Sequence, residues 1–259
     1  MITLLTDFGT KDYFVPAVKG AILSLHPQAN IIDLTHDIPA QDIAAAAFTL
    51  GACYHNFSVG TIHLAVVDPG VGSARRAIVV EAGNCFFVGP DNGVFSFVYA
   101  REKDCRVFHA TEAAYFRHSI SSTFHGRDVF APLAAWLSKG IVPKDLGEEI
   151  SDYVRLAWAP PQAANGGLVG EVIHIDHFGN CITNLTTNEL AGEQITATTR
   201  LTIGGQEVRH FATHFAQAPN ATDLLAYVGS AGYWEIALWQ ASAARQLQAV
   251  RGMAVSLTG

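Results

Sequence analysis

Charge is scarce in this chain. Asp, Glu, Lys and Arg make up 15% of the 259 residues, and the formal net charge is −7. No cluster of Lys or Arg offsets it, which argues against a nucleic-acid surface. Long apolar runs are missing as well: each is interrupted by Gly, Asp or His well short of the ~18 residues that span a bilayer. The four cysteines, Cys53, Cys85, Cys105 and Cys181, lie far apart with no C-x-x-C pair. That excludes a thiolate zinc knuckle and suits buried free thiols in a reducing compartment. The first residues, Met1-Ile2-Thr3-Leu4-Leu5-Thr6-Asp7, have no basic region and meet an Asp too early for a signal peptide, so a cytoplasmic location is expected. Apolar residues, by contrast, reach 49%, enough for a dense core and against disorder.

The length allows one large domain or two modest ones. Residues 1–6 read as a buried strand, 7–13 as the loop at its carboxyl end and 15–25 as a helix. Residues 30–34 follow as a strand, 43–54 as an Ala-rich helix, 61–67 as a strand, 77–81 and 85–88 as a hairpin, and 127–139 as an amphipathic helix. Strands alternating with helices predict an α/β domain with a largely parallel sheet over residues 1–158. Prolines and glycines among small residues mark 159–167 as a linker. Short β-type runs at 168–175, 195–203, 207–211 and 233–238 then predict a smaller C-terminal β domain over 168–259, a barrel or a sandwich.

Three loops carry polar groups beyond the needs of a turn. In Ile175-Asp176-His177-Phe178-Gly179-Asn180-Cys181-Ile182-Thr183-Asn184 a carboxylate, a flat ring and two carboxamides fall together. These are groups that grip a nucleoside: a ring to stack on, amides for base edges, a carboxylate for a hydroxyl or cation. Thr6-Asp7-Phe8-Gly9 and Val67-Asp68-Pro69-Gly70-Val71-Gly72 each place an Asp at the carboxyl end of a strand, where ligands sit in open α/β sheets. Asp7 reads either as a cap for the following helix or as a ribose-diol acceptor. Asp68 emerges from an apolar strand and needs a partner, which Arg75 can supply; the plain alternative is a solvated surface pair. Phe124-His125-Gly126-Arg127-Asp128 offers His, Arg and Asp before a helix, with a structural Arg127–Asp128 pair as the other reading. His174 and His177 flank Asp176, but the spacing fits no zinc motif and no metal is expected. Pro90-Asp91-Asn92-Gly93 reads first as a turn, with loop contacts to a ligand as the other reading.

Taken with Leu4-Leu5 before the first loop, Arg75-Arg76, Gly89 and Glu235-Ile236-Ala237, these motifs follow one another along nearly the whole chain. In that order they resemble the S-adenosyl-L-methionine (SAM) hydroxide adenosyltransferase family, relatives of the SAM-dependent fluorinases and chlorinases. The resemblance implies an N-terminal α/β domain and a C-terminal β-barrel, assembled as a homotrimer with the active site between one subunit's N-terminal domain and its neighbour's C-terminal domain. It implies cleavage of SAM by water to adenosine and methionine, with SAM as substrate and no cofactor. Asp68, Arg75 and His125 would position the water and Asp7 the ribose diol. Asp176 would meet the methionine ammonium, Phe178 and Asn180 the adenine, and Ser230 the methionine carboxylate, with Glu235 and Ala237 as further substrate contacts. The chain departs from the pattern at Gly229, where Asn is expected, at Ala231, where halogenases carry Arg, and at Trp239-Gln240.

Three other functions compete. A SAM-dependent halogenase needs a desolvating pocket of neutral donors, and the charged Asp68, Arg75 and His125 weigh against it. A nucleoside hydrolase needs a carboxylate cluster around calcium, for which Asp7 and Asp12 are too sparse. A SAM or adenosine sensor without catalysis would not need the three water-site residues.

Overall fold

A computed structural model describes residues 1–164, 167–189, 195–196, 198–218, 220 and 222–259. It divides into two compact units, Met1–Ala157 and Trp158–Gly259. The first holds β1 (Ile2–Thr6), α1 (Phe14–Leu25), β2 (Ile31–Thr35), α2 (Ile43–Cys53), β3 (Ile62–Val66), β4 (Ala77–Ala82), β5 (Cys85–Pro90), α3 (Ser96–Arg101), β6 (Arg106–Ala110), α4 (Ala131–Ser138) and β7 (Gly147–Ile150). Its sheet runs β2-β1-β3-β5-β4-β6-β7. The half from β2 to β5 is parallel; β4, β6 and β7 are antiparallel to their neighbours.

All five residues of β1 are buried, as a strand covered on both faces requires. Ile2 and Leu4 pack with Val15, Val18 and Ile22 of α1 and Leu133 of α4. Leu5 faces the opposite layer, with Ala45, Ala46 and Leu50 of α2 and Val98 of α3. The apolar spacing of α1 gives it one buried stripe, and Pro16 is tolerated because it sits in the first helical turn. The Asp42 side chain caps α2 by accepting the Ala45 N–H at 2.9 Å, satisfying one of the orphan donors of that turn.

The strand order 2-1-3 puts a topological switch between β1 and β3. Their register pairs Thr6 with Val66, so Asp7 and Asp68 leave the sheet side by side at its carboxyl edge, the position where such sheets bind ligands.

The second unit holds β8 (Gln162–Ala164), β9 (Gly167–Ile175), β10 (Cys181–Thr186), β11 (Arg200–Ile203), β12 (Gln206–Val208), β13 (His210–Phe211), β14 (Leu225–Val228), β15 (Tyr233–Ala237), α5 (Ala243–Leu247) and β16 (Ala254–Thr258). Its strands follow the path β12-β11-β16-β9-β10-β15-β14-β13. The two ends of that path, β12 and β13, are separated in the chain by Arg209 alone. The ladder therefore curls back on itself as a barrel-like sheet around Val172, Leu201, Ile203, Trp234 and Leu257. Residues 162–164, inside the stretch read as a linker, form β8 and pair with β9; Asn165 and Gly166 of that stretch lie outside the described residues. Among the described residues, no helix is long and apolar enough to cross a membrane.

Candidate active site

Beyond β3, the turn that begins at Asp68 is closed by the Val71 N–H on the Asp68 carbonyl at 3.2 Å and the Ser73 N–H on the Gly70 carbonyl at 3.1 Å. Gly72, at φ +77°, has no room for a side chain: a Cβ would sit 2.3 Å from the Ser122 carbonyl oxygen. This close approach sets the Asp68 turn against the loop that leads to His125. Arg75 folds back over its own turn and donates from Nε to both Asp68 oxygens, at 2.9 and 3.0 Å, with Nη2 bonded to Oδ2 as well. The same Nη2 lies 2.8 Å from His125 Nδ1. Asp68 and Arg75 side chains are 6% and 11% exposed, and the guanidinium rests on the Phe130 ring at 5.0 Å. This is a partly desolvated cluster rather than a solvated surface pair.

The contact with Arg75 fixes the state of His125. A guanidinium only donates, so Nδ1 must accept and the ring proton resides on Nε2. Burial, reinforced by the positive charge of Arg75, holds His125 below its usual range, which keeps the ring neutral. His125 sits at the head of a π-helical turn, Gly126–Phe130, that runs into α4; such turns are rare and frequent at functional sites. The helix read over 127–139 is thus π-helical in its first turn and α-helical only from Ala131.

Asp128 belongs to the support. It is wholly buried, accepts Arg127 at 2.7 and 2.8 Å on its two oxygens, and takes the Ser121 N–H at 2.9 Å. It ties down the 121–128 loop, as the structural reading of that pair expected. Asn92 was passed over in sequence as a turn residue. Its Nδ2 donates to the Val67 carbonyl at 2.8 Å, anchoring the residue before Asp68, while Asp91 pairs with Arg76 and takes the Val154 N–H. An unpaired strand-end carbonyl was the signal that could have found Asn92, and it is visible only once the sheet is built.

Asp7 does not cap α1, whose N-cap Tyr13 makes no side-chain bond. Its Oδ2 accepts the Gln41 N–H at 2.8 Å, and Gln41 is held at φ +67°. Asp7, Asp68 and His125 line one cleft of about 430 Å³, together with Phe8, Phe14 and Phe124. The three rings pack edge to face and tilted, with Phe14 5.3 Å and Phe8 6.0 Å from Phe124. The cleft therefore combines two carboxylates and an imidazole with an aromatic wall.

A second cleft, of about 900 Å³, lies in the other unit and is lined by Asp176, Phe178, Asn180, Phe215, Trp239 and Arg245 among others. The Asp176 turn is held by its own carboxylate. Oδ1 accepts the N–H groups of Phe178 and Asn180 at 2.9 and 2.8 Å, and Oδ2 accepts Asn180 Nδ2 at 2.8 Å. Gly179, at φ +84°, lies so close to Ser242 that a Cβ would fall 2.0 Å from its Oγ. That arrangement leaves Phe178 74% exposed, with the residue lining the cleft. Thr183 and Asn184, grouped with this loop in sequence, instead belong to β10. Thr183 donates to the Trp234 carbonyl at 2.7 Å, and Asn184 bonds the Glu171 N–H and the Ala159 carbonyl, each at 2.8 Å.

Ser230, Glu235 and Ala237 are not among the residues lining this cleft. Ser230 is exposed in the turn between β14 and β15 and Ala237 is buried. Glu235 receives the Tyr227 hydroxyl. Burial and the charge of Asp176 push the Glu235 carboxyl up, with the Tyr227 bond opposing them. The departure at Gly229 has a cause here: a Cβ on residue 229 would fall 1.8 Å from Glu235 Oε1. The Glu235 side chain fills the space an Asn would need. Phe215, which sequence reasoning did not single out, packs on Tyr227 at 4.9 Å and gives the cleft another exposed ring.

Known proteins align with this chain along its whole length. The model of the SAM hydroxide adenosyltransferase N-terminal domain matches residues 2–147, and that of the C-terminal domain matches 170–256. A Thermus thermophilus protein named (R)-S-adenosyl-L-methionine hydrolase is 38% identical over 99% of this chain and 98% of its own. One of the same name from Methanocaldococcus jannaschii is 38% identical over 73% of this chain and 68% of its own. A fluorinase from an Actinoplanes species is 26% identical over 100% and 97%. Among solved structures, an uncharacterized conserved protein from Thermotoga maritima superimposes with a TM-score of 0.93 at 32% identity, covering both chains fully. A conserved hypothetical protein from Thermus thermophilus gives a TM-score of 0.80 at 36% identity over 99% and 98%. With both domain models matched in order and hydrolase relatives more similar than the fluorinase, the chain belongs to the SAM hydroxide adenosyltransferase family.

Proposed function

We propose that this protein is a hydrolase that transfers the adenosyl group of SAM to water, releasing adenosine and L-methionine, and that it acts on the (R)-sulfonium epimer. The names of its hydrolase relatives specify that epimer. The observation that carries the reading is the Asp68–Arg75–His125 cluster at an aromatic cleft that also holds Asp7.

The chemistry suits those residues. Water attacks the ribose 5′-carbon as the carbon–sulfur bond breaks, and the electron pair stays on sulfur, which leaves as a neutral thioether. No general acid is needed at the leaving group and the step calls for no cofactor. Water, with a pKa near ~15.7, is the poor partner. His125 can donate from Nε2 to the water oxygen but has no free nitrogen to take its proton. Asp68 is therefore the acceptor in this cluster, and Arg75 holds both groups in place. Proton-transfer assistance is worth ~10²–10⁴-fold, and holding water in line with the breaking bond up to ~7–11 kcal/mol. Developing hydroxide and sulfonium cancel each other's charge, so the wall of Phe8, Phe14 and Phe124 favours the transition state over the separated ions.

Asp7 Oδ1 is the oxygen left for the ribose diol. In the second cleft, Phe178 stacks on the adenine and Asn180 meets its edge, while Asp176 keeps a lone-pair site on Oδ2 for the methionine ammonium. Of Ser230, Glu235 and Ala237, only Ser230 is exposed, and it is the one assigned to the methionine carboxylate; Glu235 and Ala237 take no substrate contact in this reading. The two clefts act as half-sites, one from each of two neighbouring subunits of a homotrimer. Each epimer of SAM, supplied separately, tests the reading: adenosine should form from the (R) epimer in clear preference. Adenosine from neither epimer would contradict it.

A further inference from the structure

We infer that Thr6 and His36 are positioning residues for Asp7, an assignment that rests on the proposed ribose contact. The Thr6 side chain is buried at the last position of β1, and His36 is 6% exposed just beyond β2. His36 Nδ1 lies 2.9 Å from Thr6 Oγ1, and Nε2 lies 3.1 Å from Asp33 Oδ1. The Nε2 contact is not aimed straight down the N–H direction, since it meets distance but not hydrogen-bond geometry. A nitrogen that close to a carboxylate nevertheless has to carry the proton, because two acceptors would repel. In the neutral ring this makes Nδ1 the acceptor, so the Thr6 hydroxyl donates to it.

That direction frees the lone pairs of Thr6 Oγ1, and the Phe8 N–H uses one at 3.2 Å. The His36 carbonyl meanwhile takes the Gly9 N–H at 2.8 Å. Asp7 is thus bracketed. The amides of the next two residues both hang on the Thr6–His36 pair, and its own Oδ2 is tied to Gln41 five residues beyond His36. At the far end Lys19 donates to Asp33 Oδ2 at 2.7 Å. Burial tends to raise Asp33, but the Lys19 bond and the close His36 imidazole outweigh it and hold the carboxyl below its ordinary value. One directed pair of hydrogen bonds runs from the Phe8 amide through Thr6 to His36, and the His36 ring ends against Asp33. None of these side chains touches the cleft, so the pair acts on substrate only through Asp7.

The test is Thr6→Val, which keeps volume and removes the hydroxyl, with Thr6→Ser as the variant that restores it and His36→Asn as an independent break. Thr6→Val and His36→Asn should raise KM for SAM about tenfold, the worth of roughly one hydrogen bond, with kcat within about twofold. Thr6→Ser should return KM to the wild-type range. Hydrogen exchange at the Phe8 amide should accelerate in Thr6→Val and recover in Thr6→Ser. Unchanged KM and Phe8 exchange in Thr6→Val would overturn the inference, as would a loss confined to kcat, which would place the hydroxyl with the water cluster. Asp7→Ala separates the two questions. If KM is unmoved there, the ribose contact fails whatever Thr6→Val does; if it rises there but not in Thr6→Val, only the positioning role fails.

Discussion

Where a single proton resides on His125 decides how the water cluster works. With Nδ1 taken by Arg75 at 2.8 Å, the proposed mechanism has the neutral ring orient water and Asp68 accept its proton. Asp68→Asn should therefore lower kcat by ~10²–10⁴-fold, the usual worth of a general base. The dissociation constant for SAM should stay within a few-fold, read by single-turnover kinetics beside calorimetry. The pH dependence has a definite sign. Protonation would turn Nδ1 into a donor facing another donor and break the cluster. Because burial and Arg75 hold His125 below 6.5, kcat/KM should stay level down to that pH and fall only in more acidic solution. An acid limb centred above 6.5 would contradict the assigned tautomer. An acid leaving an apolar strand demands a partner, which made the Asp68–Arg75 pair one of two readings of the sequence; His125 joined it only through the family resemblance. The tautomer was not legible, since it depends on which nitrogen meets the guanidinium once two residues 50 positions apart have been brought together by folding.

At the scale of elements, glycines set the site loops close against their neighbours. Gly179→Ala would push a methyl group into Ser242 and open the turn that presents Phe178. It should weaken adenosine binding about tenfold or more, the cost of strain on the order of 1–3 kcal/mol, with melting temperature nearly kept; calorimetry with adenosine checks this. Within β3, His63 is wholly buried, is hydrogen-bonded through Nδ1 to the Thr3 hydroxyl of β1 at 2.8 Å and stacks on Phe87 at 5.0 Å. Burial drives it down to about 4 from 6.5. The unfolded chain then binds the proton first, so stability is full above about pH 6.5 and drains away as pH falls toward 4. The loss should be about 2 kcal/mol at pH 5, measured by urea denaturation, and should shrink in His63→Gln. Sequence periodicity revealed β1, β3, α1, α2 and the β4–β5 hairpin, whose turn is Gly83-Asn84 at φ +56° and +59°. It missed β6, β7, β14 and β16. Of these, β6, β7 and β16 carry Arg106, Gly147, Glu148, Glu149 and Thr258 rather than an unbroken apolar run, and β14 has only four residues. It took the start of β10 for loop because Thr183 and Asn184 are polar, and the strand partners that satisfy them come from distant chain.

For the whole molecule, the α/β and barrel-like units each carry a cleft, and the proposed reading assigns part of SAM to each. Asp7, Asp68, His125, Asp176, Phe178 and Asn180, which line the two clefts, all fall in motifs that carry the family resemblance; the support from Asn92 behind them emerged only from packing, whereas the Arg127–Asp128 pair was already one reading of the sequence. A homotrimer should appear by light scattering at three times the 27.7 kDa chain mass. Mixing refolded Asp68→Ala and Asn180→Ala subunits should then restore about a quarter of full activity, since in a scrambled ring that fraction of neighbour pairs is intact on both sides. No recovery would mean that subunits do not complete one another's sites. The claim that water is the nucleophile at the 5′-carbon is tested most directly by turnover of SAM in ¹⁸O-labelled water, with and without added halide, followed by mass spectrometry. Adenosine carrying the label on its 5′-oxygen, with equimolar methionine and no effect of halide, is the expected result. A 5′-halo nucleoside, unlabelled adenosine, or SAM bound and returned intact would contradict it.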